Sequence, residues 1–94
     1  MELRFWKDPE SGLPHIYDHG VTEHEVRQVL SRPVVNLPAR RNARTILGQT
    51  AAGRCLRVVF VPDEGAAGGF VVTAYELHGK DLKAYRRLKR KKHR

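Results

Sequence analysis

Leu56, Val58, Val59, Phe60 and Val61 form the most apolar run in the chain. A run of this kind predicts a strand in the middle of a sheet, covered on both faces. It lies within a longer segment, Thr45 to Tyr75, whose pattern predicts three short strands: Thr45–Thr50, Cys55–Val61 and Phe70–Tyr75. Ala51-Ala52-Gly53-Arg54 is a tight link between the first two, with Gly53 supplying the positive φ that short hairpin loops need. Ahead of this segment, Leu3 and Phe5 alternate weakly with Arg4 and Trp6, the pattern of an edge strand over Glu2–Trp6 that Lys7-Asp8-Pro9 stops.

Two helical signals precede the strands and one follows them. Ser11-Gly12-Leu13-Pro14 is turn chemistry, so a helix there is short, from about Pro14 to His19, with Gly20 placed for a left-handed cap. Thr22 and Glu25 have the spacing of a capping box, and Val21 and Val26 that of a hydrophobic staple. Val26, Val29 and Leu30 then share one face, predicting a helix from Glu23 to Leu30 or Ser31 that Pro33 ends. Val34–Leu37 reads as a short strand between two prolines, and Ala39–Ala43 as a polar loop. Pro62–Gly69, with one proline and three glycines, predicts a mobile loop at the sheet edge. Lys80–Arg90 restarts a helical period, with Leu82, Tyr85 and Leu88 as its buried stripe and frayed last residues. The expectation is one α+β domain: a small antiparallel sheet of four or five strands, two short N-terminal helices and a C-terminal helix. With no crossover helix between the final strands, a parallel doubly wound sheet is disfavoured.

The chain has 94 residues, enough for one domain that buries roughly 60–68% of its unfolded surface. Its one cysteine, Cys55, excludes an intrachain disulfide and reads as a buried, inert thiol. No stretch approaches the ~18 apolar residues of a membrane span and no signal-peptide core is present, so a cytoplasmic protein with no membrane partner is expected.

Charge divides the chain more sharply than hydropathy does. The net charge is +8, and seven Lys/Arg with no acid fall between Arg86 and Arg94. The domain is read as 1–85, with 86–94 a basic tail continuing the last helix. Residues 1–31 carry six acids, whereas 32–57 carry Arg32, Arg40, Arg41, Arg44, Arg54 and Arg57 and no acid. An acid-free, arginine-only segment leading into a sheet is a candidate polyanion surface, and a solvated basic face is the plainer alternative.

Several motifs in order carry a family resemblance. Asp18-His19-Gly20-Val21-Thr22 ahead of a short helix resembles the Lys-His-Gly-Val-Ser/Thr signature of BrnT-like toxins, within the RelE/ParE superfamily of toxin–antitoxin systems. Phe5-Trp6 with Asp8-Pro9 resembles that family's opening Trp-Asp-Pro, with Lys7 inserted. Arg44 through Gly48 is similar to its arginine-rich strand, and Ala74, Asp81 and Tyr85 fall where the family carries Ala, Glu and Tyr. Tyr75 stands in place of the usual arginine and His78 in place of the frequent Thr, and Gly12 and Pro14 break the first helix. The resemblance implies a RelE-like fold, cleavage of RNA (mostly ribosome-bound mRNA) and neutralisation by a small DNA-binding antitoxin.

RNA cleavage without metal needs a base for the 2′-hydroxyl, an acid for the leaving 5′-oxygen and cations for the phosphoryl charge. Arg54 and Arg57, on or beside a rigid strand, suit the last role. The expectation is that the sheet gathers them with the Arg40–Arg44 group in one hollow. Tyr75 is a candidate proton donor or stacking platform, with a core aromatic as its structural alternative. His78 and Lys80 are candidate acid/base groups just past the strand, or surface loop residues. Arg40, Arg41 and Arg44, with Arg86, Arg87, Lys89 and Arg90 of the tail, are candidate phosphate-binding groups. His15 and His19 are spaced i, i+4 with Asp18 and His24 nearby. Without His-Glu-x-x-His or a cysteine partner the pattern is not read as a metal site, and His19 is assigned to structural bonding at the turn before Gly20. No P-loop, nucleophile triad or cofactor motif is present. Metal-independent endoribonuclease, non-catalytic RNA- or DNA-binding module and pure complex-forming partner all remain open.

Overall fold

The computed structural model describes residues 2–92. The elements run β1 (Glu2–Phe5), a 3₁₀ helix (His15–His19), α1 (Glu23–Ser31), β2 (Val35–Pro38), a 3₁₀ turn (Arg40–Asn42), β3 (Arg44–Gln49), β4 (Cys55–Pro62), a 3₁₀ turn (Glu64–Ala66), β5 (Gly68–Glu76) and α2 (Gly79–Lys92). The architecture is α+β with one five-stranded sheet, ordered β1-β5-β4-β3-β2. Residues 93–94, where the frayed end was expected, lie outside the described residues.

Local chemistry explains α1. The Thr22 hydroxyl accepts from the Glu25 backbone N–H at 3.1 Å, and the Glu25 carboxylate accepts from the Thr22 backbone N–H at 3.0 Å, so the capping box forms. Val21, Val26 and Val29 are buried, and α1 lays them on the sheet against Ile46, Leu56, Val58, Phe60, Val71 and Ala74. Ile16 of the 3₁₀ helix joins the same core. Gly20 closes that helix at φ 69, and Gly53 turns the β3–β4 hairpin at φ 94.

The sheet is mixed, which corrects the antiparallel expectation. β1 pairs with β5 in parallel, Glu2 opposite Gly68 and Phe5 opposite Val71; the other pairings are antiparallel. A parallel pair needs a long connection, and here everything between β1 and β5 supplies it. The same pairing corrects the expected loop end at Gly69. Gly68 and Gly69 are buried strand residues of β5, because β1 approaches Gly68, and β4 approaches Gly69, too closely for a side chain. A Cβ on Gly68 would stand 2.0 Å from the Glu2 carbonyl oxygen, and one on Gly69 2.8 Å from that of Val61. Gly68→Ala is therefore expected to detach β1. Overpacking of this kind costs about 1–3 kcal/mol, read as a lower urea midpoint together with lost hydrogen-exchange protection at Glu2 and Trp6, whose N–H groups bond Ala67 and Val71.

Helical cover differs between the two faces. On the α1 face the residues of β4 are buried. On the other face α2 covers one end only, packing Tyr85 and Leu82 over Val35, Leu47, Cys55 and Leu77. Beyond that end Arg57, Val59 and Val61 stay half-buried, so the middle strand is not covered on both sides as its run suggests. The stripe expected of α2 also stops early: Tyr85 is buried, but Leu88 is 42% exposed. A helical period marks a face; it does not say how far the opposing surface extends.

Candidate functional site

The uncovered stretch of sheet is defined by register. Leu47, Arg57 and Tyr75 form one cross-strand row, and Thr45, Val59 and Thr73 the next. Side chains directly opposite one another share a face, so Arg57 and Tyr75 project together, half-buried, beside Leu47, which α2 covers. The Arg57 guanidinium carbon lies 5.9 Å from the Tyr75 ring centroid. No carboxylate pairs with Arg57 among the described residues, and its buried Nε has no hydrogen-bond partner there.

The segment after β1 brings further groups to this place. The Trp6 backbone N–H donates to the Val71 carbonyl oxygen, and the His15 backbone N–H to the Trp6 carbonyl oxygen. The 3₁₀ helix then runs beside β5. Rings meet in a series along this path: Trp6 and His15 at 5.3 Å, His15 and His19 at 5.0 Å, His19 and Tyr75 at 5.9 Å between centroids. Behind His15, its Nδ1 lies 3.2 Å from Asp8 Oδ2 and 3.7 Å from Asp18 Oδ2. The Lys7–Pro14 bridge and the Asp8–Leu13 backbone bond fold the loop so that Asp8 comes across to His15. Asp8, His15 and Asp18 each offer a donor within 4.8 Å of the others. A divalent cation could share these three ligands, although a closed structural site uses four. The i, i+4 spacing of His15 and His19 thus gives a ring contact, while His15 shares its donor cluster with the two aspartates.

The arginines are not gathered as expected. Arg54 and Arg57 are three residues apart, an odd step that places them on opposite faces. Arg54 turns toward α1. Its Nη1 lies 2.7 Å from Glu25 Oε2 and 3.0 Å from the Gly20 carbonyl oxygen, and its Nη2 lies 3.2 Å from Glu76 Oε1. The hydrogen bond to Glu25 holds the guanidinium pKa above its ordinary value. Arg54 is thereby neutralised inside a structural triad. Arg44 shares the α1 face with Ile46 and donates from Nε to Asn36 Oδ1 at 2.7 Å. Arg40 and Arg41 are exposed on the 3₁₀ turn, with Arg41 at φ 56.

His78 and Lys80 are exposed, and no hydrogen bond, ion pair or ring contact joins them to Arg57 or Tyr75 among the described residues. Arg86, Arg87 and Arg90 lie on exposed positions of α2 and, with Lys83, line one shallow groove. Lys89 instead turns to the sheet end and donates to Gln49. Tyr85, on the buried side of α2, has a buried hydroxyl without a hydrogen-bond partner among the described residues, and burial raises its pKa.

Of the catalytic candidates, Arg57 and Tyr75 come together and Arg54, His78 and Lys80 stand apart. Sequence reasoning missed Asp8 as a partner of His15, weighed the His15/His19 spacing as a metal site and set it aside, and assigned His19 to structural bonding at the turn before Gly20. The available signal was the turn chemistry of residues 8–14, which folds the chain back on itself. Compared with protein-family models, with curated proteins and with solved structures, the chain finds no match in any of the three.

Proposed function

We propose that this protein is a metal-independent endoribonuclease of the RelE/BrnT type, acting on mRNA, ribosome-bound mRNA included, as the toxin of a type II toxin–antitoxin pair. The observation that carries this reading is the unpaired Arg57 beside Tyr75 on the uncovered part of the sheet. A permanently charged planar fork on a strand is suited to the oxygens of a phosphodiester, and the adjacent phenol is suited to donate a proton to the leaving 5′-oxygen or to stack under an unpaired base. The cations of α2 supply a second, sequence-independent contact with phosphates. The cognate antitoxin would be the protein partner.

The commitment of Arg54 to Glu25 and Glu76 favours a second reading on the same surface: a basic RNA- or DNA-binding module without catalysis. Incubation with RNA, with and without ribosomes and with EDTA present, separates the two. Cleavage that survives EDTA supports the nuclease. Binding that weakens steeply with salt, without cleavage, supports the module. Cleavage lost on chelation would overturn the metal-independent mechanism.

A further inference from the structure

We infer that His19 is the general base of this face and that His15, held by Asp8, is its positioning residue. The inference rests on the RNA-cleavage reading and assigns it a proton acceptor. Arg57 carries a permanent charge and cannot accept a proton. His19 is an exposed imidazole 5.9 Å from Tyr75, which in turn neighbours Arg57. A phosphodiester lying over Arg57 and Tyr75 would bring its ribose to the edge of β5 where His19 sits.

The surroundings of His19 support this task. His15 meets it edge to face at 5.0 Å, and Asp8 at 3.2 Å fixes the His15 ring from behind. Among the described residues, Asp8 and Asp18 meet His15 from the loop and the 3₁₀ helix, and Tyr75, with Arg57 over its ring, meets His19 from the sheet. The two carboxylates place negative charge behind the histidines in a chain of net charge +8. The Asp8 carboxylate hydrogen-bonded to Nδ1 of His15 fixes that ring's orientation.

The step balances without a redox partner. The 2′-oxygen forms a bond to phosphorus and gives its proton to the free ring nitrogen of His19. The phosphorus–O5′ bond breaks, and the 5′-oxygen takes the Tyr75 hydroxyl proton. The imidazolium then returns a proton to the phenolate through water. The products are a 2′,3′-cyclic phosphate and a 5′-hydroxyl.

The test uses the whole protein and the dinucleotide uridylyl-(3′→5′)-adenosine. His19→Ala and His19→Gln should each lower kcat by about 10²–10⁴-fold, the usual contribution of a positioned base, with KM little changed. Arg57→Ala should lower kcat as well. Asp8→Ala should lower kcat at constant KM, and Asp8→Asn, which keeps an acceptor for the His15 N–H, should recover part of the loss. His24→Ala, on the exposed side of α1, should match wild type. Hydrogen-exchange protection of α1 and β4 unchanged from wild type confirms that each variant is folded. Wild-type cleavage with full activity retained in both His19 variants would overturn the assignment and leave the nuclease standing. A wild type that cleaves neither RNA nor the dinucleotide would overturn both.

Discussion

Replacing Arg57 with alanine is expected to lower RNA cleavage by about 10²–10³-fold, the loss typical when one preorganised stabiliser of developing charge is removed. The fold should survive. Arg57 is half-buried, makes no ion pair among the described residues and leaves its Nε without a partner, so truncation removes packing of the stem and an unsatisfied donor together. These effects oppose one another, and the change in stability should stay within about 1 kcal/mol. Arg57→Lys separates charge from shape. Lysine keeps the charge and loses the planar fork, so it should restore only part of the activity if the guanidinium grips two phosphate oxygens. Single-turnover cleavage and urea unfolding, measured on the same preparations, decide the matter. A folded Arg57→Ala protein that cleaves at the wild-type rate takes Arg57 out of the site and leaves Tyr75 without its cation.

Much of the fold was legible because it is local. The α1 capping box spans four residues, and the β3–β4 hairpin is closed by a five-residue link whose glycine needs positive φ. The direction of β1 was not legible. A four-residue strand has no feature that distinguishes parallel from antiparallel docking, and the position that admits β1 is Gly68, which reads equally well as loop. The site was legible in part. Alternation alone separates Arg54 from Arg57, because a step of three crosses the sheet. Counting arginines obscured that parity. What Arg54 and His15 would meet was beyond local reasoning: Glu25 lies 29 positions from Arg54, and Asp8 reaches His15 only after the intervening loop has folded back.

The second large effect falls on stability. Arg54→Ala leaves Glu25 and Glu76 without the cation that joins them to the hairpin turn. Removing one partner of a fully buried pair costs about 3–5 kcal/mol. Here the side chains of Arg54, Glu25 and Glu76 keep 30%, 17% and 39% of their exposure, so solvent screening reduces the expected loss to about 1–3 kcal/mol near neutral pH. Its pH dependence has a definite direction. Burial raises the Glu25 pKa, but the Thr22 backbone N–H, the Arg54 guanidinium and the Thr22 hydroxyl outweigh burial, and the net shift is downward. A carboxyl with a lowered folded pKa contributes full stability above its unfolded value, roughly 4.3, and loses that contribution as pH falls through the folded value. The raised pKa of Arg54 acts only far above neutrality, where deprotonation would begin. The gap in urea midpoint between wild type and Arg54→Ala should therefore be widest near neutral pH and close in acid. Glu25→Gln, which keeps an acceptor for the Thr22 N–H while removing the charge, should show the same narrowing with α1 still capped. An undiminished gap on the acid side of the Glu25 transition would mean that the Arg54 stem, rather than its charge, ties the hairpin to α1.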